Sequence, residues 1–343
     1  MLSIRTEAPL LHHNTFGIQA KAAVMMTYST TDDLCQAIQL MHTQYAGTPV
    51  LHIGSGSNLL FLGDFSGIIL CSQIRGITLL EETADEVLVK VGAGETADDF
   101  IATAIRRGWF GMENLSLIPG QVGAAAVQNI GAYGAEACDF IHEVCGISLE
   151  DGSEHVWQRD DCGYAYRYSH FKGPWQGRYA ITHVIFRLSR HFQPRLSYGG
   201  LQKAVEAASL VPEYLTATQL RQVIISIRQS KLPDPAVLGN AGSFFKNPVV
   251  SEEIAQSLLA LHPDMPTYPA PDGSVKISAG WLIEQAGWKG KSLGPAAVHD
   301  RQALVLVNRG GASGHDILRL CEAVQDTVKN QFGIALSPEV NIV

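Results

Sequence analysis

Between Ile118 and Gly134 the chain reads Ile-Pro-Gly-Gln-Val-Gly-Ala-Ala-Ala-Val-Gln-Asn-Ile-Gly-Ala-Tyr-Gly, and no other segment limits the possible fold so tightly. The run of small residues lies where neither a strand nor a helix needs it, and it would let a flat ring lie against the backbone. A tightly packed buried turn is the alternative reading. A shorter loop, Gly54-Ser55-Gly56-Ser57-Asn58, follows the strand-like Val50-Leu51-His52-Ile53. Successive small residues with free N–H groups form an anion-binding nest suited to a pyrophosphate, although an ordinary Gly-Ser turn fits the same residues. The pattern is not a Rossmann fingerprint, because the third glycine is missing and Leu59-Leu60-Phe61-Leu62 continues as strand. Two such loops on one αβ domain point to a dinucleotide bound without Rossmann topology.

Elements around the loops read as α+β. Asp33 closes a helix-start signal, and Leu34, Ile38 and Met41 follow at helical spacing. Residues 86–91 alternate as a strand, Thr96 caps a helix carrying Phe100, Ile101, Ala104 and Ile105, and Gly108 closes it. Residues 142–190 break into short strands of antiparallel character. Beyond about residue 210 the style changes: an amphipathic helix over 216–230 is followed by helices near 251–261, 278–287 and 313–332, with a strand over 303–307. A domain boundary is expected at about 205–220, and no repeat or low-complexity segment is visible.

With 46% hydrophobic and 17% charged residues among 343, a sizeable core is expected and global disorder is not. The net charge of −8 and the lack of any Lys/Arg block argue against nucleic-acid binding. Residues Met1–Glu7 contain no apolar h-region and no apolar run approaches membrane-spanning length, so a soluble, cytoplasmic chain is expected. The cysteines (Cys35, Cys71, Cys138, Cys145, Cys162, Cys321) form no Cys-x-x-Cys pair, and no paired-histidine metal motif occurs. Neither disulfides nor a metal site is expected.

The most loaded segment is Gly239-Asn240-Ala241-Gly242-Ser243-Phe244-Phe245-Lys246-Asn247-Pro248. Glycines, one hydroxyl, two aromatics, a cation and an amide stand within ten residues, after the rigid Lys231-Leu232-Pro233-Asp234-Pro235. A core segment would avoid that polar load. The bland reading is a Gly-Asn turn entering a strand. The chemical reading is a hydroxyl positioned for reaction, with the phenylalanines as packing.

Taken together these motifs resemble the UDP-N-acetylenolpyruvoylglucosamine reductase family of bacterial peptidoglycan precursor synthesis. Asn14-Thr15-Phe16-Gly17 is similar to its N-terminal motif, 54–58 and 118–134 to its two flavin loops, 239–248 to its catalytic-serine motif and Pro338-Glu339-Val340 to its C-terminal motif. Tyr198-Gly199 and the stretch before Lys231 look like the form with a substrate-covering tyrosine loop. The resemblance runs essentially end to end. It implies a fold of the vanillyl-alcohol-oxidase / p-cresol methylhydroxylase type: an FAD-binding subdomain over 1–70 with 333–343 near the active site, a second over 71–210, and an α+β substrate-binding domain over 211–332. It implies non-covalent FAD held by Gly54, Ser55, Gly56, Ser57 and Asn58, and by Pro119, Gly120, Gly123, Ala124, Gln128, Asn129, Gly131, Ala132 and Tyr133. NADPH is the implied co-substrate, UDP-N-acetylglucosamine-enolpyruvate the implied substrate, and a monomer the implied form.

The resemblance also assigns roles. Ser243 matches the general acid, and Arg167, in Tyr166-Arg167-Tyr168-Ser169, and Glu339 match the pair supporting it. Tyr198, Lys231, Asn247 and Gln302 match substrate contacts, and Arg228 is a further candidate. Two departures stand out. Ala124-Ala125-Ala126 replaces hydroxyls and a proline common in relatives, and Tyr168 replaces a residue that is acidic in some. Glu339 would either hold a substrate carboxylate when protonated or pair with Arg167 when ionised. The rival readings are a same-fold FAD-dependent alcohol or hydroxy-acid oxidase, which has no use for Ser243 or Glu339, and a non-catalytic flavin or nucleotide-sugar binder.

Overall fold

The computed structural model describes residues 1–198, 200–270 and 273–343. Contacts divide the chain into two compact units: Met1–Ala8, Ala22–Ser55 and Ser66–Ser230 form the first, and Pro9–Lys21, Gly56–Phe65 and Lys231–Val343 the second.

The first unit holds two larger sheets and a short hairpin pairing Gly131–Ala132 with Ala135–Glu136. One runs in the order Ser3–Pro9, Lys21–Tyr28, Phe65–Ser72, Val50–Ile53, the last two strands parallel. Helix α1 (Thr31–Thr43) starts in a reciprocal capping box between Thr30 and Asp33 and buries Leu34, Ile38 and Met41, the residues its spacing selects. The second sheet is antiparallel, in the order Glu154–Gln158, Ile141–Ser148, Tyr179–Ser189, Glu86–Gly92, Ile77–Glu82. Helix α2 (Ala97–Arg106) buries Phe100, Ile101 and Ala104, and the Phe100 ring lies 5.0 Å from Phe186 of the central strand.

Helix α3 (Val122–Gln128) corrects the expectation that the small-residue run is neither helix nor strand. Ala, Val and Gln tolerate a helix, and its two sharp turns are displaced to the flanks, at Gly120 and at left-handed Asn129. Helices α4 (Leu201–Ala207) and α5 (Ala217–Lys231) share a small core of Leu201, Val205, Leu215, Leu220, Val223 and Ile224, with Tyr133 packed against it. The sequence places the start of the substrate domain at residue 211, whereas all of α5 but its last residue, Lys231, lies in the first unit.

The second unit contains a sheet ordered Gly239–Ser243, Val305–Asn308, Ala296–Val298, Ser292–Leu293 and a smaller one ordered Val249–Val250, Val275–Ile277, Thr267–Pro269. Helices α6 (Glu252–Leu261), α7 (Ala279–Gln285) and α8 (Gly314–Phe332) are each N-capped by a serine, at Ser251, Ser278 and Ser313. Phe244 and Phe245 are buried among Leu282, Leu306, Ile317 and Leu320, as packing residues should be. The short strand Asn341–Ile342 pairs in parallel with Leu59–Leu60. Among the described residues no helix is long and apolar enough to cross a membrane.

One buried pair ties the first sheet to the loop that follows it. His52, on the strand entering Gly54, shares a 2.9 Å hydrogen bond with the hydroxyl of fully buried Tyr28. Burial holds the His52 imidazole at about 4, so it is neutral at pH 7. The unfolded chain takes up a proton near its ordinary value of about 6.5, and the folded chain does not. Stability contributed by this site is therefore complete above that pH and is lost as pH falls towards 4, at up to about 1.4 kcal/mol per pH unit. A His52→Gln variant, which keeps a partner for Tyr28, is expected to show a shallower fall in thermal midpoint between pH 6.5 and 4.5. An unchanged slope would remove His52 from this role.

Candidate active site

In the second unit, Asn14-Thr15-Phe16-Gly17 builds the support for the serine. The buried Asn14 carboxamide donates to the carbonyls of Leu10 (2.8 Å) and Ile18 (2.9 Å) and accepts from Ile18 N–H (2.9 Å). In the loop so closed, Thr15 donates its N–H to Gly56 O (3.3 Å) and accepts from Asn240 N–H (3.0 Å). A methyl group on Gly56 would stand 1.9 Å from His13 O, and its φ of 72° is left-handed, so only glycine fits there. The Thr15 hydroxyl is buried and has no hydrogen-bond partner among the described residues.

Ser243 ends the strand Gly239–Ser243 where the register slips between Asn240 and Ser243. Asn240 causes the irregularity: its amide donates to Leu238 O (2.8 Å) and Pro233 O (3.2 Å), and its oxygen accepts from Gly242 N–H (2.9 Å), with Gly242 at φ 68°. Such a bulge re-aims the next side chain. Ser243 is half-buried, and none of the hydrogen bonds among the described residues engages its Oγ. The backbone beyond it pairs with the C-terminal motif: Glu339 N–H donates to Phe244 O (2.7 Å) and Lys246 N–H to Ser337 O (3.0 Å). The Asn58 side-chain amide donates to Glu339 O (3.1 Å), so this bond and the backbone bonds of Glu339 and Lys246 bring Asn58, the serine segment and the C-terminal motif together. Asn247 uses its oxygen on Ala279 N–H (3.0 Å) at the start of α7, and the Gln302 oxygen lies 3.4 Å from Leu304 N–H. Lys231 is the exposed last residue of α5.

In the first unit, Gly54 faces α3: a methyl on it would lie 3.2 Å from Ala124 Cβ and from Gln121 Oε1. The two expected cofactor loops thus adjoin at Gly54 and Ala124. Gly123 donates to Ala93 O (2.9 Å), and a methyl on it would meet Ala93 Cβ at 2.8 Å. Arg167 is the second residue of a tight turn closed by reciprocal bonds between Ala165 and Tyr168, at a left-handed φ of 55°. Asn129 donates to Ala165 O (3.0 Å) and to Glu136 (2.8 Å) and accepts from Cys138 N–H (3.0 Å), while Ser169 donates to Val127 O (2.7 Å). The fully buried Asn129 side chain is therefore committed to the protein, and its job is to fix the Arg167 turn; only its backbone is left for a cofactor. Arg167 donates to Gly131 O (2.6 Å), and a methyl on Gly131 would press on the same guanidinium at 2.8 Å. Lys172 donates to Gln128 Oε1 (2.7 Å).

Tyr198 packs on Gly134, its Cβ 3.1 Å from where a side chain would begin, and Gly199 lies outside the described residues. Arg228, on α5, donates to Leu117 O (3.3 Å) and faces the Tyr133 hydroxyl. Burial pushes the Tyr133 phenol up, and Arg228 partly opposes that. Arg167, Arg228, Tyr133 and Tyr198 thus share the first unit with the second loop, whereas Ser243, Glu339, Asn247, Gln302 and Lys231 belong to the second. Sequence reading missed the placing residues Thr15, Asn114, Asn240 and Asp98. Asn114, fully buried, donates to Tyr133 O (2.8 Å) and Arg195 O (3.0 Å), which ties the second loop to the segment entering Tyr198. Standing between Glu113 and Leu115, Asn114 gave no signal of this role in the sequence.

Residues 22–156 match the family model for an FAD binding domain. Residues 234–343 match the model described as UDP-N-acetylenolpyruvoylglucosamine reductase, C-terminal domain. A UDP-N-acetylenolpyruvoylglucosamine reductase of Bacteroides fragilis (strain YCH46) is 51% identical over 334 residues, covering 97% of this chain and 98% of that protein. One of Porphyromonas gingivalis (strain ATCC 33277) is 47% identical over 342 residues and covers both chains completely. A solved reductase of that name from Thermus caldophilus superposes with a TM-score of 0.68 at 23% identity, over 100% of this chain and 98% of that one, a likeness of fold. An FAD-binding α+β flavoprotein is the class these findings define. Within it, the chain belongs to the UDP-N-acetylenolpyruvoylglucosamine reductase family.

The residues fit an FAD group. In the first unit the loops carry small residues where they adjoin at Gly54 and Ala124, which leaves their backbone open to a flat ring. Among the described residues no cluster of His, Cys, Asp and Glu is arranged to hold a metal ion. Gly123→Ala tests the close packing of α3 on Ala93. The helix-propensity gain of at most about 1 kcal/mol is outweighed by an overpacking cost of about 1–3 kcal/mol. Lower thermal stability and a reduced flavin-to-protein absorbance ratio are expected, and full flavin retention at wild-type stability would refute the fit.

Proposed function

We infer that the chain reduces the enolpyruvyl group of UDP-N-acetylglucosamine-enolpyruvate to give UDP-N-acetylmuramate in peptidoglycan precursor synthesis, as an FAD-dependent oxidoreductase. The end-to-end identity to reductases of that name carries this reading. Family members use that sugar nucleotide and NADPH as substrates, and the same pair is assigned here. A cytoplasmic, monomeric enzyme is the proposed working form.

FAD, when bound, supplies hydride to the vinyl group of the substrate. Gly54–Asn58 and the backbone of 119–133 are proposed to hold it without a covalent bond. Hydride addition at one alkene carbon leaves charge on the neighbouring carbon and its carboxylate. Arg167 is proposed to meet that charge with a planar fork of donors, already oriented by Gly131 O and the turn that Asn129 fixes. A preorganised donor of this kind is worth about 2.7–4 kcal/mol of barrier. Glu339, whose backbone is locked by Phe244 and Asn58, is proposed to orient the carboxylate end of the same reaction.

The remaining need is a proton at the carbon that gained charge. Ser243 Oγ is the proposed donor: the bulge at Gly242 aims it, and no protein hydrogen bond among the described residues competes for it. A hydroxyl is a weak acid in water but suffices for a carbanion held in contact, and a positioned acid contributes roughly 10²–10⁴ in rate. Tyr198, Arg228, Lys231, Asn247 and Gln302 are proposed substrate contacts. Asn247 and Gln302 have oxygens engaged within the protein, so their amide N–H groups are the donors offered.

The test is anaerobic. Purified protein is expected to be yellow, to bleach with NADPH and to regain colour only when the enolpyruvyl sugar nucleotide is added. Ser243→Ala should bleach at the wild-type rate and regain colour about 10²–10⁴ times more slowly. Normal recolouring would remove Ser243 as the acid. Recolouring by a simple alcohol's oxidation product, with none by the sugar nucleotide, would favour an oxidase instead.

A further inference from the structure

Asp98 has no place in the reaction just described, yet the structure builds much of the first unit around it. It stands in the first turn of α2, where a carboxylate suits the helix dipole. Its oxygens take a bidentate pair from Arg221 of α5 at 2.5 and 2.9 Å, and Oδ1 also accepts Leu117 N–H at 2.6 Å. Leu117 is held at a left-handed φ of 58°, an uncommon conformation for leucine. The carbonyl of the same residue accepts Nε of Arg228 at 3.3 Å. Leu117 immediately precedes the second loop, and Tyr133, near that loop's end, faces the same guanidinium.

Arg221 and Arg228 are seven residues apart, two helical turns, and so lie along one face of α5. Asp98 therefore grips α5 directly through Arg221 and reaches Arg228 through the Leu117 peptide. The charges agree with this geometry. Burial pulls the Arg228 guanidinium below its ordinary value, Tyr133 and Asp98 oppose that fall, and Arg167 adds to it. Burial raises the Asp98 carboxyl, but the hydrogen bonds of Arg221 and Leu117 and the charges of Arg221 and Arg228 outweigh this and leave it below the usual carboxylate value. Asp98 is thus ionised at neutral pH, and Arg167 and Arg228 lie within electrostatic reach of each other. Like charges are kept close in this way where an anion is to be received.

We propose that Asp98 is a positioning residue for substrate recognition, holding the Arg228 guanidinium oriented, through the Leu117 peptide, for an anionic group of the sugar nucleotide. The anion is a carboxylate or a diphosphate, and both suit a guanidinium fork. The proposal rests on Arg228 being a substrate contact.

FAD-loaded variants decide it. Asp98→Asn keeps the shape and removes the charge: KM for the enolpyruvyl sugar nucleotide should rise about ten- to hundredfold, the worth of one charge-assisted hydrogen bond, with kcat and flavin reduction by NADPH little changed. Asp98→Glu should recover part of that loss. Arg221→Gln breaks the direct grip but leaves Asp98 to Leu117 and Arg228, so it should lower the thermal midpoint without moving KM. If Arg221→Gln raises KM as much as Asp98→Asn, Asp98 only pins α5 and the proposal fails. Arg228→Lys, which keeps a charge but loses the bond to Leu117, should raise KM on its own and carries the test if Asp98→Asn does not fold; a wild-type KM there overturns the orienting role. An unchanged KM in Arg228→Gln would sink the substrate reading of Arg228, whereas a raised KM there beside an unchanged one in Asp98→Asn sinks only the role of Asp98. Titration of the flavin spectrum with UDP-N-acetylglucosamine, which has the diphosphate but no carboxylate, separates the two anions: weaker binding in Asp98→Asn assigns the diphosphate, equal binding the carboxylate.

Discussion

The buried carboxamide of Asn14 is the constraint on which the setting of Ser243 depends. An amide offers two donors and an acceptor; here both donors and the oxygen are satisfied by backbone of one short loop, from Leu10 to Ile18. Because nothing is left over, the loop has one shape, and its outward backbone becomes a template. Thr15 bonds Gly56 on one side and Asn240 on the other, and Asn308 adds a bond to Phe16 O (3.0 Å). The bulge that aims Ser243 is therefore set against backbone that is itself fixed. A buried amide deprived of one partner would be left with an unsatisfied polar group costing about 1–3 kcal/mol, so substitution at Asn14 is felt well beyond its own loop.

The first unit solves a harder problem, holding the Arg228 guanidinium where burial disfavours it and Arg167 on an uncommon backbone conformation. Arg167 occupies a left-handed backbone position, which costs about 1–3 kcal/mol for a residue with a side chain and persists only where surroundings over-determine it. Those surroundings are visible: Asn129 and Ser169 clamp the turn on α3, and Gly131 O receives the guanidinium at 2.6 Å. The chain that flanks the expected flavin loop thus also orients Arg167. Asn114 extends the same arrangement by joining Tyr133 to Arg195. The second loop and the Arg167 turn share one set of hydrogen bonds, so a loss at one is felt at the other.

What the sequence disclosed and what it hid differ by mechanism. Leu34, Ile38 and Met41 announced α1 because burial of one face imposes the helical period, and the strand at 86–91 announced itself by alternation. The antiparallel character of 142–190 followed from frequent turn residues between short apolar runs. Helix α3 stayed hidden because it packs by close approach, with Gly123 on Ala93, and leaves no apolar stripe to read. Helix α5 was recognised as amphipathic but assigned to the wrong neighbourhood, since an apolar face does not say what it covers; the Asp98–Arg221 pair joins partners 123 positions apart. The Ser243 segment stood out by its own polar load and Glu339 only through motif resemblance, while the bonds of the Asn129 side chain to Ala165, Glu136 and Cys138 left no sequence signal.

The alanines at 124–126 can be weighed in the same terms. Ala125 and Ala126 are buried within the core of α3 and its neighbours, so hydroxyls there would need partners that the apolar surroundings do not offer. Ala124 is different, being partly exposed and 3.2 Å from where a methyl on Gly54 would stand. A side chain larger than methyl at 124 would press on the first loop, and one larger than hydrogen at 54 would press on α3. Residues 54 and 124 are thus jointly constrained to be small, while 125 and 126 are constrained to be apolar. Both constraints hold whatever hydrogen bonds a hydroxyl would add, and what remains for the cofactor from this segment is its backbone, which substitution by alanine leaves intact.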